Sequence, residues 1–138
     1  VHWLPSSTEQ MFDLVADIER YPDFLPHWLH AEVRHRGHDT LEVIQELDLG
    51  IRRIRFDSRA TLDRPAHLHI VSTSAPFRRL AIDWHFTPAA RGGCTAALAV
   101  ELEMRSLLME LLADRLMQSL TRDIYKRFLE RAARVYPG

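Results

Sequence analysis

The chain has 138 residues, 46% of them hydrophobic and 27% charged, which suits one domain, residues 1–138, with a substantial core. Its net charge of -1 removes the electrostatic case for bulk nucleic-acid binding. The single cysteine, Cys94, excludes an intrachain disulfide or a Cys-based zinc centre and fits a reducing, cytoplasmic setting, and no apolar run approaches the ~20 residues of a membrane span.

His2, Trp3 and Leu4 end a short first strand, stopped by Pro5. Both Ser6-x-x-Glu9 and Ser7-x-x-Gln10 fit a capping box, so a helix starts here, with Met11, Leu14, Val15 and Ile18 as its buried stripe. Tyr21-Pro22 is expected to break that helix, because a residue before proline avoids the helical region. The aromatic stretch Asp23 to Trp28 reads as a stub helix or a tight loop.

Strands follow. Leu29 to Arg36 is the next one, closed by Gly37. Leu41, Val43, Leu47 and Leu49 alternate with Glu42, Glu46 and Asp48, and Gly50 ends the run. Ile54, Phe56, Ser58, Ala60 and Leu62 alternate with Arg53, Arg55, Asp57, Arg59 and Thr61. His67 to Val71 and Arg79 to Thr87 alternate likewise, and Arg91-Gly92-Gly93 turns into a last strand, Cys94 to Met104. Short turns predict an antiparallel meander. Ser106 then opens a long helix that runs to Pro137, with Leu108, Leu112, Leu116, Leu120, Ile124 and Phe128 recurring every fourth residue.

This inventory implies a cavity. Six or seven strands at ~4.8 Å spacing make a sheet roughly 30 Å wide, whereas a helix is only about 10–12 Å across. One terminal helix leaves apolar sheet uncovered, to be filled by large side chains or left open for an apolar guest. Phe56, Trp84, Phe86 and Met104 are large; Ser58, Ala60, Ser72, Ser74, Cys94 and Ala96 on the same face are small. Leu107, Leu108, Met109, Leu111 and Leu112 surround the first turns of the long helix, a surplus that suits a ligand, a second subunit or a membrane surface as well as covering loops.

Chemistry is harder to find. His67-x-His69 sets two imidazoles on one strand face at a workable ligand spacing, but that face is the solvent side and no cysteine or carboxylate stands at a recognisable spacing. No metal centre is therefore expected. Catalysis would need an acid or base inside the cavity. The inner face offers Gln45, with Arg78 at the rim and serines without an inward histidine, so no catalytic residue is assigned. Gln45 reads as a satisfied core residue; in a binding protein, Gln45 or Arg78 would meet a ligand carbonyl. Trp84 is either core filling or pocket lining, and Phe24, Leu25 and Trp28 form either a lid or a plug.

Several segments carry a resemblance. Leu14-Val15-Ala16-Asp17-Ile18-Glu19-Arg20-Tyr21-Pro22-Asp23-Phe24-Leu25-Pro26, Pro76-Phe77-x-x-Leu80-x-x-x-Trp84-x-Phe86, and Arg127-Phe128-x-x-Arg131-Ala132 before Val135-Tyr136 resemble the coenzyme Q-binding proteins related to yeast Coq10. These form a branch of the START-like, polyketide cyclase-dehydrase superfamily, which also holds polyketide aromatase/cyclases and a bacterial ribosome-association toxin. The chain departs from the branch in His27-Trp28, Ala75 and the Tyr136-Pro137-Gly138 end. The resemblance implies an α+β helix-grip fold, a curved antiparallel sheet around a long C-terminal helix. It implies a non-enzymatic function: binding a ubiquinone-like or other polyisoprenoid lipid, with no covalent cofactor, in support of respiratory electron transport. Transient contact with the inner membrane follows, and cyclase or ribosome-contact activities are the alternatives. The residues expected to line the ligand space are Phe24, Leu25, Trp28, Gln45, Phe56, Phe77, Arg78, Trp84, Phe86, Met104, Leu108 and Leu112.

Overall fold

The computed structural model describes residues 2–48 and 52–136, and the side chains of all of these except 112–120. The strand end expected at Leu49-Gly50 and the helix stop at Pro137 lie outside the described residues. The strands are β1 (His2–Leu4), β2 (Trp28–Arg36), β3 (Thr40–Asp48), β4 (Arg53–Asp63), β5 (His67–Ser72), β6 (Phe77–Pro88) and β7 (Cys94–Met104). They form one antiparallel sheet in the order β1-β7-β6-β5-β4-β3-β2. The meander read from the alternating residues is therefore the observed topology, with β1 added beside β7.

The alternation decides which face is buried. Along β4, Ile54, Phe56, Ser58 and Ala60 are buried while Arg53, Arg55, Asp57 and Arg59 are exposed. A bulge between Phe77 and Arg79 turns Arg78 and Arg79 both outward, so that Phe77 and Leu80 both point into the core. The β6–β7 turn requires glycine at one point. Gly93 has φ +71, and a Cβ there would come 2.0 Å from the Leu4 carbonyl oxygen. That close approach lets β1 pair with the start of β7.

Of the two capping boxes, the chain uses the second. The Ser7 hydroxyl accepts from the Gln10 amide at 3.1 Å and the Gln10 side chain accepts from the Ser7 amide at 3.0 Å, opening α1 (Thr8–Ala16). The helix stops earlier than expected. Asp17 leaves the helical region at ψ 68, a single 3-10 turn follows over Ile18–Arg20, and Pro22 stands inside the first turn of α2 (Tyr21–Phe24). Proline here starts a helix and does not end one, because its missing N–H would be unpaired in a first turn anyway. The Tyr21 hydroxyl donates to the Val15 carbonyl in the last turn of α1. Burial, helped by the charge of Asp17, pushes the phenol pKa up. Tyr21→Phe should cost about 1–3 kcal/mol in urea unfolding, since the buried carbonyl loses its donor with little change in packing.

The long helix is α3 (Leu107–Val135), capped by Ser106, whose hydroxyl accepts from the Met109 amide at 3.0 Å. Its C-terminal half buries Ile124, Phe128 and Ala132 against the sheet. The four-residue stripe does not persist to the N-terminal end, where Met109 is buried and Leu108 is 69% exposed. At about 100° per residue, each step of four drifts about 40°, so five steps carry Leu108 roughly 200° away from Phe128. Leu112, Leu116 and Leu120 fall among the side chains outside the described set. Among the described residues, no helix is long and apolar enough to cross a membrane.

Candidate functional site

The concave face of the sheet and α3 enclose the interior, and its buried side chains fall into two separate apolar clusters. The first joins α1, α2, the sheet and the C-terminal half of α3. It includes Leu25, Trp84 and Phe86 among its buried members, with Phe24 and Trp28 packed against it. Phe128 is its hub: its ring meets Phe24 at 5.1 Å, Trp84 at 5.2 Å and Tyr21 at 5.4 Å, all edge-on. In this conformation the α2 segment closes that end of the interior. Outside it, a cleft of about 420 Å³ separates the Pro22–Pro26 segment from Arg127, Arg131 and Arg134, with the Arg131 guanidinium 5.2 Å from the Phe24 ring centre.

The second cluster is Ile54, Phe56, Phe77, Leu80, Met104 and Met109, with Phe56 edge-on to Phe77 at 4.9 Å. Arg105 fastens this end: its Nε donates to the Phe77 carbonyl at 2.8 Å and its backbone amide to the Pro76 carbonyl at 3.0 Å. Met109 belongs to this cluster and Ile124 to the first, 15 residues apart on one helix, or about 22 Å along its axis.

Between the clusters the inner face is apolar and its residues are less deeply buried. Along β7, Cys94, Ala96 and Met104 are buried, whereas Leu98, Val100 and Leu102 between them are only half-buried. On β6, Ile82 is half-buried, pairs across the strands with Val100, and touches both clusters. Small residues stand nearby: Ser58, Ala60 and Ser72 are buried on β4 and β5. The expected run of small residues beside large ones is thus on the inner face, apart from Ser74, which lies past the end of β5.

The polar side chains of the inner sheet face are few, and those named next are hydrogen-bonded. Gln45 is 3% exposed; its side-chain oxygen accepts from Trp28 Nε1 at 2.8 Å and its Nε2 donates to Ser58 Oγ at 3.0 Å. Ser72 donates to the Asp57 carbonyl. Tyr125 Oη accepts from the Leu98 amide at 2.5 Å and donates to the Ala96 carbonyl at 3.4 Å. That bond serves β7 beyond the reach of β1. Burial raises the Tyr125 pKa despite the opposing bond from Leu98. Burial, with a smaller push from Glu9, raises that of the Cys94 thiol. Among the described interior residues, no acid or base is poised near neutrality.

Of the expected lining residues, Phe24, Leu25, Trp28, Trp84 and Phe86 thus gather in one cluster, and Phe56, Phe77 and Met104 in the other, with Gln45 between Trp28 and Ser58. Two are corrected. Arg78 is exposed because the bulge turns it outward, and Leu108 is exposed because the helical stripe drifts. Leu112 lies outside the described side chains. The half-buried Ile82, Leu98, Val100 and Leu102 are not among the expected lining residues; their plain alternation carries no mark of partial exposure.

A curved seven-stranded antiparallel sheet gripping one long C-terminal helix defines a START-like, helix-grip domain. The chain belongs to the family described as polyketide cyclase / dehydrase and lipid transport, whose model matches residues 4–129. It is 31% identical over 133 residues to the ribosome association toxin RatA of Vibrio cholerae, covering 94% of this chain and 90% of that protein. It is 27% identical to the coenzyme Q-binding protein COQ10 homolog B of Xenopus laevis, covering 94% of this chain and 55% of that one. The crystal structure of the Zhui aromatase/cyclase from a Streptomyces species superposes with a TM-score of 0.85 at 14% identity, over 99% of this chain and 93% of that one, a likeness of fold alone.

Proposed function

We propose that this domain binds a ubiquinone-like or other polyisoprenoid lipid in its interior and hands it over without altering it, in support of respiratory electron transport. The observation that carries the reading is the half-buried apolar band Ile82, Leu98, Val100 and Leu102 between two closed clusters. Each methylene-sized group buried there gains roughly 0.8 kcal/mol, so a few isoprenoid units suffice for useful affinity. Gln45 uses one amide hydrogen on Ser58, which leaves a second for a head-group carbonyl. The lack of a poised acid or base among the described interior residues supports binding over turnover. The family's lipid-transport members and the similarity to a coenzyme Q-binding protein support it further.

Uptake needs a route from a bilayer. Leu107, Leu108 and Leu111 are 79%, 69% and 60% exposed on the first turns of α3, beside the buried Met109. They suit transient contact with the inner membrane from the cytoplasmic side. A second reading, contact with the ribosome, is favoured by the 31% identity to a ribosome association toxin. The outward arginines of β4 add little to it: Arg59 pairs with Glu42 at 3.0 Å and Arg55 with Glu46 at 3.9 Å.

Titrating a short-tailed ubiquinone against tryptophan fluorescence tests the proposal. Trp84 faces Leu98 across the β6–β7 pair, so saturable quenching is expected, and a Trp84→Phe control should remove most of it, leaving Trp3 and Trp28. Absence of saturable quenching, together with co-sedimentation of the protein with ribosomal particles, would favour the second reading.

A further inference from the structure

On the opposite face of the sheet, strand pairing brings Asp83 to the His67-x-His69 pair, 14 to 16 residues away in sequence. Antiparallel register sets His69 directly across from Asp83 and His67 across from His85. The Asp83 Oδ1 atom lies 2.8 Å from His67 Nε2 and 2.5 Å from His69 Nδ1, and one ligand atom from each of the three residues lies within 4.8 Å of the others. All three side chains are about one-third exposed, at 34%, 35% and 28%. The His67 ring is held in orientation by His85, stacked on it at 4.1 Å and 9°. The carboxylate that the sequence did not offer near His67-x-His69 comes from the neighbouring strand.

We propose that His67, His69 and Asp83 form a binding site for a zinc-class divalent metal ion, with water in the remaining position. The chemistry of the donors fits: two imidazoles and one carboxylate are a common ligand set for zinc, bound at about 2.0–2.2 Å. Ligand atoms around a tetrahedral ion stand about 3.3 Å apart. The two contacts to Asp83 need to open by less than about 1 Å, and ligand atoms now as much as 4.8 Å apart to close by up to about 1.5 Å, within the reach of side-chain rotations. Without an ion, one carboxylate oxygen is shared between both imidazoles. Burial works against that carboxylate's charge, but hydrogen bonds to His67 and His69 outweigh it and hold the Asp83 pKa below its usual value. An ion here would clasp β5 to β6 directly behind Ile82 and Trp84, and its binding does not depend on what the interior holds.

The test is a titration of the tag-free protein with zinc chloride by calorimetry and with cobalt chloride by visible absorption, in a non-chelating buffer. One equivalent per chain is expected, with a cobalt d–d band of low-coordinate type. Asp83→Ala and His69→Ala should each weaken binding at least tenfold, while His35→Ala, outside the cluster, should not. Asp83→Asn, which keeps the side-chain shape, guards against loss of fold in Asp83→Ala and should also weaken binding. No saturable one-to-one uptake, or uptake unchanged in the folded Asp83→Asn and His69→Ala proteins, would overturn the site.

Discussion

Phe128→Ala should lower the unfolding free energy by about 3–5 kcal/mol, the range for removing a buried aromatic ring from a core. The ring is 2% exposed and stands edge-on to Tyr21, Phe24 and Trp84. Three edge-on pairs add roughly 0.5–1.5 kcal/mol each beyond area burial. The loss falls on the contacts that join α2, β6 and α3, so it should register as a large shift of the urea midpoint. Against a total stability of about 5–15 kcal/mol this is a large fraction, and partial unfolding at 37 °C is expected. Leu107→Ala, at an exposed position, should stay within about 0.5 kcal/mol. A loss of less than about 1 kcal/mol at Phe128 would mean that this aromatic hub does not hold the helix to the sheet.

Val100→Trp is the second large effect, and it acts on binding. Val100 belongs to the half-buried band and pairs with Ile82, the residue touching both clusters. In a fully packed core, so large an insertion costs about 1–3 kcal/mol through strain. With space to enter, the indole should change stability by less than about 1 kcal/mol and occupy the volume a ligand needs. Quinone affinity should then fall at least tenfold, about 1.4 kcal/mol. Stability and affinity are read from urea unfolding and from the fluorescence titration. A strongly destabilised variant would indicate a filled interior, and an unweakened affinity would place the ligand elsewhere.

Much of this fold is legible because its strands alternate cleanly. The residues of β4 name both faces without help from any other strand, and the short turns leave an antiparallel meander as the simple solution. Ser106 marks the start of α3 by its capping chemistry. The misreadings have local causes. Two overlapping boxes compete at Ser6 and Ser7, and only the backbone geometry selects Ser7. Tyr21-Pro22 is a helix stop by its dipeptide and a helix start in fact, because Asp17 has already broken the preceding helix. Leu108 looked continuous with Phe128 because a spacing of four is close to a helical turn but not equal to one. The bulge that turns Arg78 outward leaves no mark in the local pattern. The Asp83 partnership with His67 and His69 is a matter of register across 14 to 16 residues, which no local spacing reveals. The half-burial of Leu98, Val100 and Leu102 depends on what the rest of the fold sets against β7, and single-strand patterns carry no trace of it.

Native mass spectrometry of protein purified from its own host, with lipid extraction of the same sample, addresses the interior most directly. The account predicts a near-stoichiometric mass increment that releases a quinone or polyisoprenoid lipid, and its loss in Val100→Trp. Protein that flies at its bare mass and yields no lipid, from gentle conditions that preserve other lipid complexes, would contradict the claim that this interior holds an apolar guest.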